Sequence, residues 1–565
     1  MRDGLRWLGS LWVAWAVCAC SDSAAPAPDH PAPDPDPPVE VLSARDVHEV
    51  RIELERSDWD TIRDEGRSLN SLYSGCVDPG FEYTWVDAQV EFDKHKLGKV
   101  RLRKKGYLGS LSANRPSLRI DVAEYAPEQR VFESKTLVLN NSLQDRSYTH
   151  QCMAYAAFAA AGVPAPRCGF ARVRVNGHDL GHYVIVEPIK KPFLQRELGD
   201  DRGVLLEGNA GADFSSDRLA NFEVDSGDAN VSELLQPLMA ALAGSGSDLR
   251  ARLEGVLDLP SFLRFWAVES LIGHWDGYSG DQNNFYVYAP PGKPLQFLPW
   301  GPDGAYATDH PFLPKAGRPE SVYAVGRLAN RLYAVAETRE LYRDTLRKLL
   351  REDWHEQALQ SEIDRIARLI SDADPAALDA MRSFIRNRRS QLQRELDAEA
   401  TPWPFPERGS RTCREDANSE LHATFDATWR ELSALVPSAQ SSLDVQVDGK
   451  RTAYPLVLSS AGRADNGKPS FQLVGQEAAG TLIVLQLYIG EQPIEPGEVR
   501  LQGTETLGVV VRAMSRDSYQ MIGFVGDGVI QFDEVGTTAG ARLRGRIDAH
   551  LVTLPAELAN LMSRP

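Results

Sequence analysis

The sequence predicts an α+β core followed by a separate all-β domain, and three observations lead to this fold class. Strand-like and helical segments are mixed up to about residue 400, without the regular strand–helix alternation of a parallel sheet. The segments 231–273 and 320–400 show the apolar spacing of helices. Beyond about residue 440, short alternating segments separated by Gly, Asp and Asn are typical of a β-sandwich or barrel.

The first elements of the core follow from local patterns. Residues 47–54 alternate as a strand, and residues 85–122 predict two or three more strands around a Gly- and Ser-bearing turn. The alanine-rich stretch "HQCMAYAAFAAAG" predicts a helix that ends at Gly162. The pair Asn176-Gly177 then predicts a tight hairpin, because both residue types tolerate the positive φ angles of a two-residue loop.

The remaining elements complete the predicted organisation. "NFYVYAPPGKPLQFLPW" predicts a second hairpin, "PWPFPERGS" ends the helical block with three prolines, and residues 420–436 show a short helical pattern. The chain is therefore predicted to contain four parts: a signal peptide at 1–19, a Pro- and Asp-rich tether at 20–44, the α+β core at 45–405, and a sandwich-like β domain at 418–565.

The N-terminus carries the pattern of an export signal. Arg2 and Arg6 flank the start of an apolar run that is too short to span a bilayer. Its end, "VCAC" followed by Ser21, resembles the bacterial lipobox, in which the cysteine is lipidated and becomes the mature N-terminus; Cys20 fits this position. The alternative is an ordinary cleaved signal with an incidental cysteine. We expect a lipid anchor in the cell envelope, with the outer membrane or cell surface favoured and the body periplasmic or extracellular.

Composition agrees with an exported protein. The net charge of −17, from 62 basic and 79 acidic residues, argues against a general nucleic-acid binder. Apart from Cys20 and the nearby Cys18, four cysteines remain: Cys76, Cys152, Cys168 and Cys413. In an oxidising compartment they predict two disulfides, with three possible pairings.

A cluster of carboxylates and amides lies between the predicted helix and the second hairpin. Asp276 starts "DGYSGDQNN", Asn283 and Asn284 end it, and Asp303 follows the hairpin in "PWGPDG". A hairpin can bring its two ends to one mouth, and such hard oxygen ligands suit Mg²⁺ or Mn²⁺. Protein-kinase-type enzymes have the same order: a base aspartate, a metal-binding asparagine, a strand pair and a metal-binding aspartate. The alternatives are a solvated polar turn and a Ca²⁺ site that serves only stability.

Two further features are weaker candidates. The turn "KKGYLGSL" at 104–111 has the Gly and Ser content to cover phosphates with its N–H groups, but an ordinary hairpin is equally consistent with it. Basic residues around this turn suit an anion or a solvated strand face. Glu187 ends an apolar strand, where a structural ion pair is the simpler interpretation.

Several segments, in order, resemble the spore-coat protein H (CotH) kinase-like family. They are "VHEVRIELERSDWDTI", "KVRLRKKGYLGSLSANRPSLRIDV", "LNNSLQDRSYTHQCMAYAAFAAAGVPAPRCGFARVRVNGHDLGHYVIVEPI", and the pair "HWDGYSGDQNNFYVY" and "FLPWGPDGAY". The resemblance covers roughly residues 45–400 and leaves the C-terminal β domain outside. It implies a two-lobed, atypical protein-kinase-like core that transfers the γ-phosphate of ATP to Ser or Thr with Mg²⁺ or Mn²⁺.

The resemblance also implies roles for single residues. Asp276 matches the base aspartate, Asn283 or Asn284 the metal-binding asparagine, and Asp303 the second acid of the family's "PWD.D" segment. The family's metal aspartate falls on Gly301, which is a departure. The implied nucleotide-binding residues are Arg115 or, less well, Arg119 in place of the phosphate-binding lysine, Gly109 and Ser110 in the glycine-bearing turn, and Glu187 in the strand that leads to the hinge.

Two functions remain open at this point. The first is an envelope-anchored kinase that phosphorylates an exported protein. The alternative is a catalytically impaired relative that acts as a binding or adhesion module for an envelope component, with the β domain as the recognising part. Both place the protein on a membrane through its N-terminal anchor, and neither involves nucleic acid.

Overall fold

A computed structural model describes residues 42–66, 81–106, 112–244, 246–311, 313–315, 317–407, 419–454, 456–463, 469–476, 481–489, 495–501, 506–513 and 519–553. Within these residues, helices and strands are mixed up to residue 397 and strands alone follow, which confirms the predicted α+β class with a β-rich C-terminal region. No helix in this part of the chain combines the length and the apolar character that a membrane crossing requires.

The first structural unit is a closed barrel. Its strands are β1 (Val47–Glu53), β2 (Val86–Phe92), β3 (His95–Lys104), β4 (Leu118–Asp121), β5 (Thr136–Asn140), β6 (Cys168–Val175) and β7 (His178–Val186). They are hydrogen-bonded in the order β1-β2-β3-β4-β5-β7-β6, and a parallel β1–β6 pair closes the ring. Alternate residues such as Val50, Leu102 and Ile120 fill the interior, as the period of two along each strand requires.

Two predicted features of the barrel are confirmed. Asn176 and Gly177 turn the β6–β7 hairpin with φ angles of 48° and 78°. Outside the ring lie α1 (Arg56–Asp64) and α2 (His150–Ala160), and α2 stops before Gly162 at a φ of 71°. Because both glycines take the left-handed conformation, the turn and the helix end lie where the sequence predicts.

A disulfide joins Cys152 in the first turn of α2 to Cys168 at the start of β6. This is one of the pairings that the sequence left open, and it ties α2 to the barrel. Cys76 and Cys413 lie outside the described residues, as do Cys18 and Cys20.

The chain continues from the barrel into a second sheet that is packed among helices. The sheet, ordered β11-β10-β8-β9, contains β8 (Val204–Gly208), β9 (Phe222–Ser226), β10 (Phe285–Ala289) and β11 (Gln296–Pro299). The helices are α3 (Lys191–Leu198), α4 (Val231–Ala243), α5 (Leu249–Leu253), α6 (Leu259–Leu271), α7 (Tyr278–Asp281), α8 (Arg327–Ala334), α9 (Ala336–Glu352), α10 (Glu356–Leu369) and α11 (Pro375–Asp397). Trp266 of α6 packs on Tyr342 of α9 with ring centroids 3.9 Å apart, at the centre of this core.

The C-terminal region is one curved sheet. Its described strands are β12 (Glu420–Thr428), β13 (Val436–Pro437), β14 (Ser442–Val447), β15 (Lys450–Tyr454), β16 (Val457–Arg463), β17 (Pro469–Gln476), β18 (Leu482–Ile489), β19 (Gly497–Leu501), β20 (Thr506–Ala513), β21 (Tyr519–Val535) and β22 (Arg542–Thr553). Phe425 of β12 stacks on Phe471 of β17 although these strands are not neighbours in the sheet, so the sheet bends round a single core.

The helical interpretation of residues 420–436 is wrong, because none of these residues is helical. Residues 420–428 form β12, in which Leu421, Ala423, Phe425 and Ala427 are buried in strict alternation. Since this period of two places every apolar side chain on one face of the sheet, burial overrides the helical composition of the segment.

Candidate functional site

The turn between α6 and β10 is held from two sides by buried carboxylates. Glu269 of α6 is fully buried and accepts the backbone N–H groups of Tyr278 and Ser279, both at 2.8 Å. Asp213, in the loop after β8, accepts from the Tyr278 hydroxyl at 3.1 Å and from the side-chain amide of Gln282. The backbone that carries the candidate residues is therefore fixed by contacts beneath it.

Asp276 lies at the start of this turn and is the acceptor for both predicted asparagines. The side-chain Nδ2 of Asn283 donates to one carboxylate oxygen at 3.0 Å, and that of Asn284 donates to the other at 2.8 Å. Asn284 also donates to the Asp276 carbonyl at 2.9 Å. The two amides thus orient the carboxylate, and in this arrangement their own oxygens point away from it.

Burial raises the pKa of Asp276 well above its ordinary value. The negative charges of Asp281 and Asp303 raise the pKa further, whereas the hydrogen bonds from the two asparagines lower it. Asp276 is therefore a stronger base than a solvated aspartate, and it lies in the field of Asp303 as the sequence predicted for the two ends of the hairpin.

At Gly301, where the family resemblance placed an aspartate, the backbone is tightly packed. Its φ of 48° is left-handed, its N–H donates to the Tyr155 hydroxyl at 3.2 Å, and an added Cβ would lie 2.5 Å from Oδ1 of Asn284. An aspartate side chain at 301 would require Asn284 to move. The departure from the family pattern is thus accompanied by a local packing arrangement that suits glycine.

Asp303 follows in a single 3₁₀ turn, Pro302–Gly304, and has cationic neighbours. Burial raises the pKa of this half-buried carboxyl to about 6, while the charges of Lys105 and His150 oppose the rise. The His150 ring also contacts the Asp303 carbonyl oxygen through Nδ1 at 2.9 Å. The first turn of α2 and the end of β3 therefore both face this acid.

Lys105 is one of the basic residues around the glycine-bearing turn, and the sequence alone assigned it no role of its own. Its Nζ donates to Asn140 Oδ1 at 2.6 Å and lies 5.8 Å from the centre of the Trp300 ring. Burial lowers the pKa of Lys105 to about 8, and the charges of Asp303 and Glu207 act in the opposite direction. The neighbouring Lys104 points to the other face of β3, where its amino group donates to the carbonyl of Arg63 at 2.9 Å.

The residues carried over as nucleotide ligands lie in different surroundings. Arg115 donates to the Tyr148 hydroxyl at 2.8 Å and to the His182 carbonyl, and its guanidinium lies over the rings of Tyr148 and Tyr183. Three residues, Tyr148, His182 and Tyr183, thus hold it in place. Arg119 lies on β4, and its charge contributes to lowering the pKa of Lys105.

Glu187 forms the ion pair that the simpler interpretation predicted. Its carboxylate accepts from Arg196 Nη2 at 2.7 Å and from the Arg167 N–H at 2.9 Å. Arg196 belongs to α3 and Arg167 directly precedes β6, so Glu187 joins these two elements. Gly109, Ser110 and Cys20 lie outside the described residues.

The donor chemistry around the hairpin ends fits a hard divalent cation. Within the described ranges, no group of three or more His, Cys, Asp or Glu side chains is close enough to hold a metal ion. Mg²⁺ does not require one, because it binds one or two carboxylates and takes its other ligands from phosphate and water. Asp303, Asp276 and the asparagine amides supply oxygens of that kind.

Comparison with known proteins adds one match. A family model described as CotH kinase protein matches residues 102–398, which is more than half of the chain and contains every residue of the site above. A comparison with curated proteins found no match.

Proposed function

Because the chain belongs to the CotH kinase family, we propose that it is an atypical protein kinase that transfers the γ-phosphate of ATP to a serine or threonine of an exported protein. The observation that carries the proposal is the hydrogen-bonded cluster of Asp276 with Asn283 and Asn284, on which the charge of Asp303 acts. The charge of Asp303 also acts on Lys105. In this proposal the barrel β1–β7 is the smaller lobe, and the second sheet with α4–α11 is the larger lobe.

Asp276 acts as the base. It accepts the proton of the acceptor hydroxyl while the hydroxyl oxygen bonds to the γ-phosphorus and the bond to the ADP oxygen breaks. The hydrogen bonds from Asn283 and Asn284 aim the carboxylate, and burial keeps its proton affinity high. These are the two properties that a general base needs.

Asp303 and the side-chain oxygens of Asn283 or Asn284 hold the divalent cation in this proposal. Mg²⁺ or Mn²⁺, when bound, supplies charge neutralisation for the transferred phosphoryl group. For the asparagines this requires the amides to turn their oxygens towards the cation, because Nδ2 now faces Asp276.

Lys105, rather than Arg115, is proposed to bind the phosphates. The charge of Asp303 acts on its amino group, and so does that of Arg119 as a second cation. Arg115 is held by two tyrosines and a carbonyl, so its position depends on contacts that a phosphate would have to replace.

We expect Lys105→Met to lower kcat/KM for ATP by roughly 10- to 150-fold, because a hydrogen bond to a charged group contributes about 1.5–3 kcal/mol. The measurement is incorporation of labelled phosphate from ATP with Mn²⁺ into the protein itself and into a Ser/Thr peptide library. Lys99→Met is the matched control, since Lys99 is an exposed residue of β3, the strand that Lys105 directly follows. Absence of transfer by the wild-type protein would refute the proposed function; an unchanged Lys105→Met variant would refute only the role of the lysine.

We further propose that Cys20 is lipidated and that the body lies outside the cytoplasm, with the outer membrane or cell surface favoured. The signal-like N-terminus supports this location, and so does the Cys152–Cys168 disulfide, since disulfides persist in oxidising compartments.

In cells fed a labelled fatty acid, we expect the wild-type protein and Cys18→Ser to carry the label and Cys20→Ser to lose it. The two cysteines are only two positions apart, so the comparison isolates the lipidated residue. Label on Cys20→Ser, or none on the wild-type protein, would contradict the anchor.

A further inference from the structure

Three side chains form a continuous hydrogen-bonded relay from the end of β3 to α2. The Lys105 amino group donates to Asn140 Oδ1 at 2.6 Å, and Asn140 Nδ2 donates to Gln151 Oε1 at 2.7 Å. Asn140 ends β5 and is 8% exposed, whereas Gln151 lies in the first turn of α2 and is 1% exposed. The relay therefore fixes the amino group with respect to two rigid elements.

The relay contains no carboxylate. An ammonium held by a carboxylate shares its charge with a partner of opposite sign, but an ammonium held by an amide oxygen keeps its full positive charge. An ammonium also has three donors, of which Asn140 accepts one. Asn140 therefore positions the Lys105 ammonium without neutralising its charge.

Gln151 has a donor to spare in the same place. Its Nε2 is buried and has no hydrogen-bond partner among the described residues, which is unusual for a buried amide. One helical turn further along α2, the Tyr155 hydroxyl accepts from the Gly301 N–H, so this face of the helix lines the segment that leads to Asp303. An unpaired donor at one end of the relay and an ammonium held by a neutral amide at the other suit an anionic ligand.

We propose that Asn140 and Gln151 are positioning residues that hold Lys105 without neutralising its charge, and that Lys105 and Gln151 Nε2 together bind a polyphosphate group. The polyphosphate class of this ligand rests on the proposed function, whereas the positioning of Lys105 by Asn140 and Gln151 goes beyond it. Because Asn140 and Gln151 are neutral, a variant that adds a negative charge to one of them at constant shape tests the proposal.

Asn140→Asp tests charge at constant shape. Its carboxylate still accepts from Lys105, and Gln151 can rotate its amide to donate to the second oxygen, so the fold is retained. The new negative charge neutralises the lysine. We expect at least a tenfold loss of affinity for inorganic tripolyphosphate, measured by calorimetry on the full chain without metal, and an unchanged thermal unfolding midpoint.

The matched control is Asn387→Asp, which adds the same charge on the exposed surface of α11 and is expected to bind tripolyphosphate like the wild-type protein. Gln151→Glu is the second variant; it places the charge at the unpaired amide and is also expected to lose at least tenfold. If Asn140→Asp does not fold, Gln151→Glu alone decides the inference.

Phosphate transfer from ATP is measured on the same proteins, and its outcome separates the two proposals. If Asn140→Asp and Gln151→Glu weaken tripolyphosphate binding but no protein transfers phosphate, the positioning role of the relay is supported and the proposed kinase activity is refuted. Transfer with tripolyphosphate affinities equal in the wild-type, Asn140→Asp and Gln151→Glu proteins refutes the relay and leaves the kinase standing. A wild-type protein that binds no tripolyphosphate at millimolar concentration also overturns the relay.

Discussion

Asp276→Asn is expected to lower kcat for phosphate transfer by about 10²- to 10⁴-fold, the usual contribution of a positioned general base. Asparagine has the shape of aspartate and keeps an oxygen for one of the two neighbouring amides, while the other amide can turn its oxygen to the new NH2 group. It does not take up the hydroxyl proton. The expected loss is therefore in kcat, with the affinity for ATP nearly unchanged. Single-turnover transfer from labelled ATP with Mn²⁺, together with a nucleotide-binding isotherm, measures the two quantities separately.

Asp309→Asn provides the control for this experiment. Asp309 is exposed, pairs with Lys315 at 2.9 Å and lies six residues beyond Asp303, so its loss should not change transfer. Retention of the wild-type kcat by Asp276→Asn would contradict the base assignment. A parallel loss of nucleotide affinity would instead indicate that Asp276 supports binding.

Local patterns were sufficient for the part of the site that lies within one turn and its hairpin. Asp276, Asn283 and Asn284 are close in sequence, and the β10–β11 hairpin returns the chain to Asp303 in their field. The rules that govern turns and hairpins act over a few residues, so they can be applied to the sequence directly.

The phosphate end of the site depends on contacts that local patterns do not contain. Lys104 and Lys105 are adjacent, but their side chains leave β3 on opposite faces: Lys104 contacts the Arg63 carbonyl and Lys105 contacts Asn140. Which lysine belongs to the site therefore depends on the register of the strand. Arg115 was the expected substitute for a phosphate-binding lysine, yet its partners Tyr148 and His182 come from segments 33 and 67 residues away. Residues so far apart in the sequence come into contact only when the barrel has folded.

We expect the free energy of unfolding to depend on pH through Glu269, and the Glu269→Gln variant to lose this dependence. Burial raises the pKa of this carboxyl from 4.5 to about 7. Its folded pKa therefore lies above its unfolded value, so the folded state binds more protons between pH 4.5 and 7. The stabilisation is complete below pH 4.5 and is lost as the pH rises through 7. At 1.36 kcal/mol per pKa unit, the loss is about 3 kcal/mol.

Hydrogen exchange of the peptide covering residues 259–271 in urea, repeated from pH 4.5 to 8, measures the unfolding free energy of the core around α6. The wild-type value relative to Glu269→Gln should fall by about 3 kcal/mol across this range. Glu254→Gln, an exposed substitution between α5 and α6, should follow the wild-type protein. A wild-type profile parallel to that of Glu269→Gln would show that folding does not raise the pKa of the Glu269 carboxyl. The contacts of Glu269 with Tyr278 and Ser279 would then provide enough stabilisation to offset its burial.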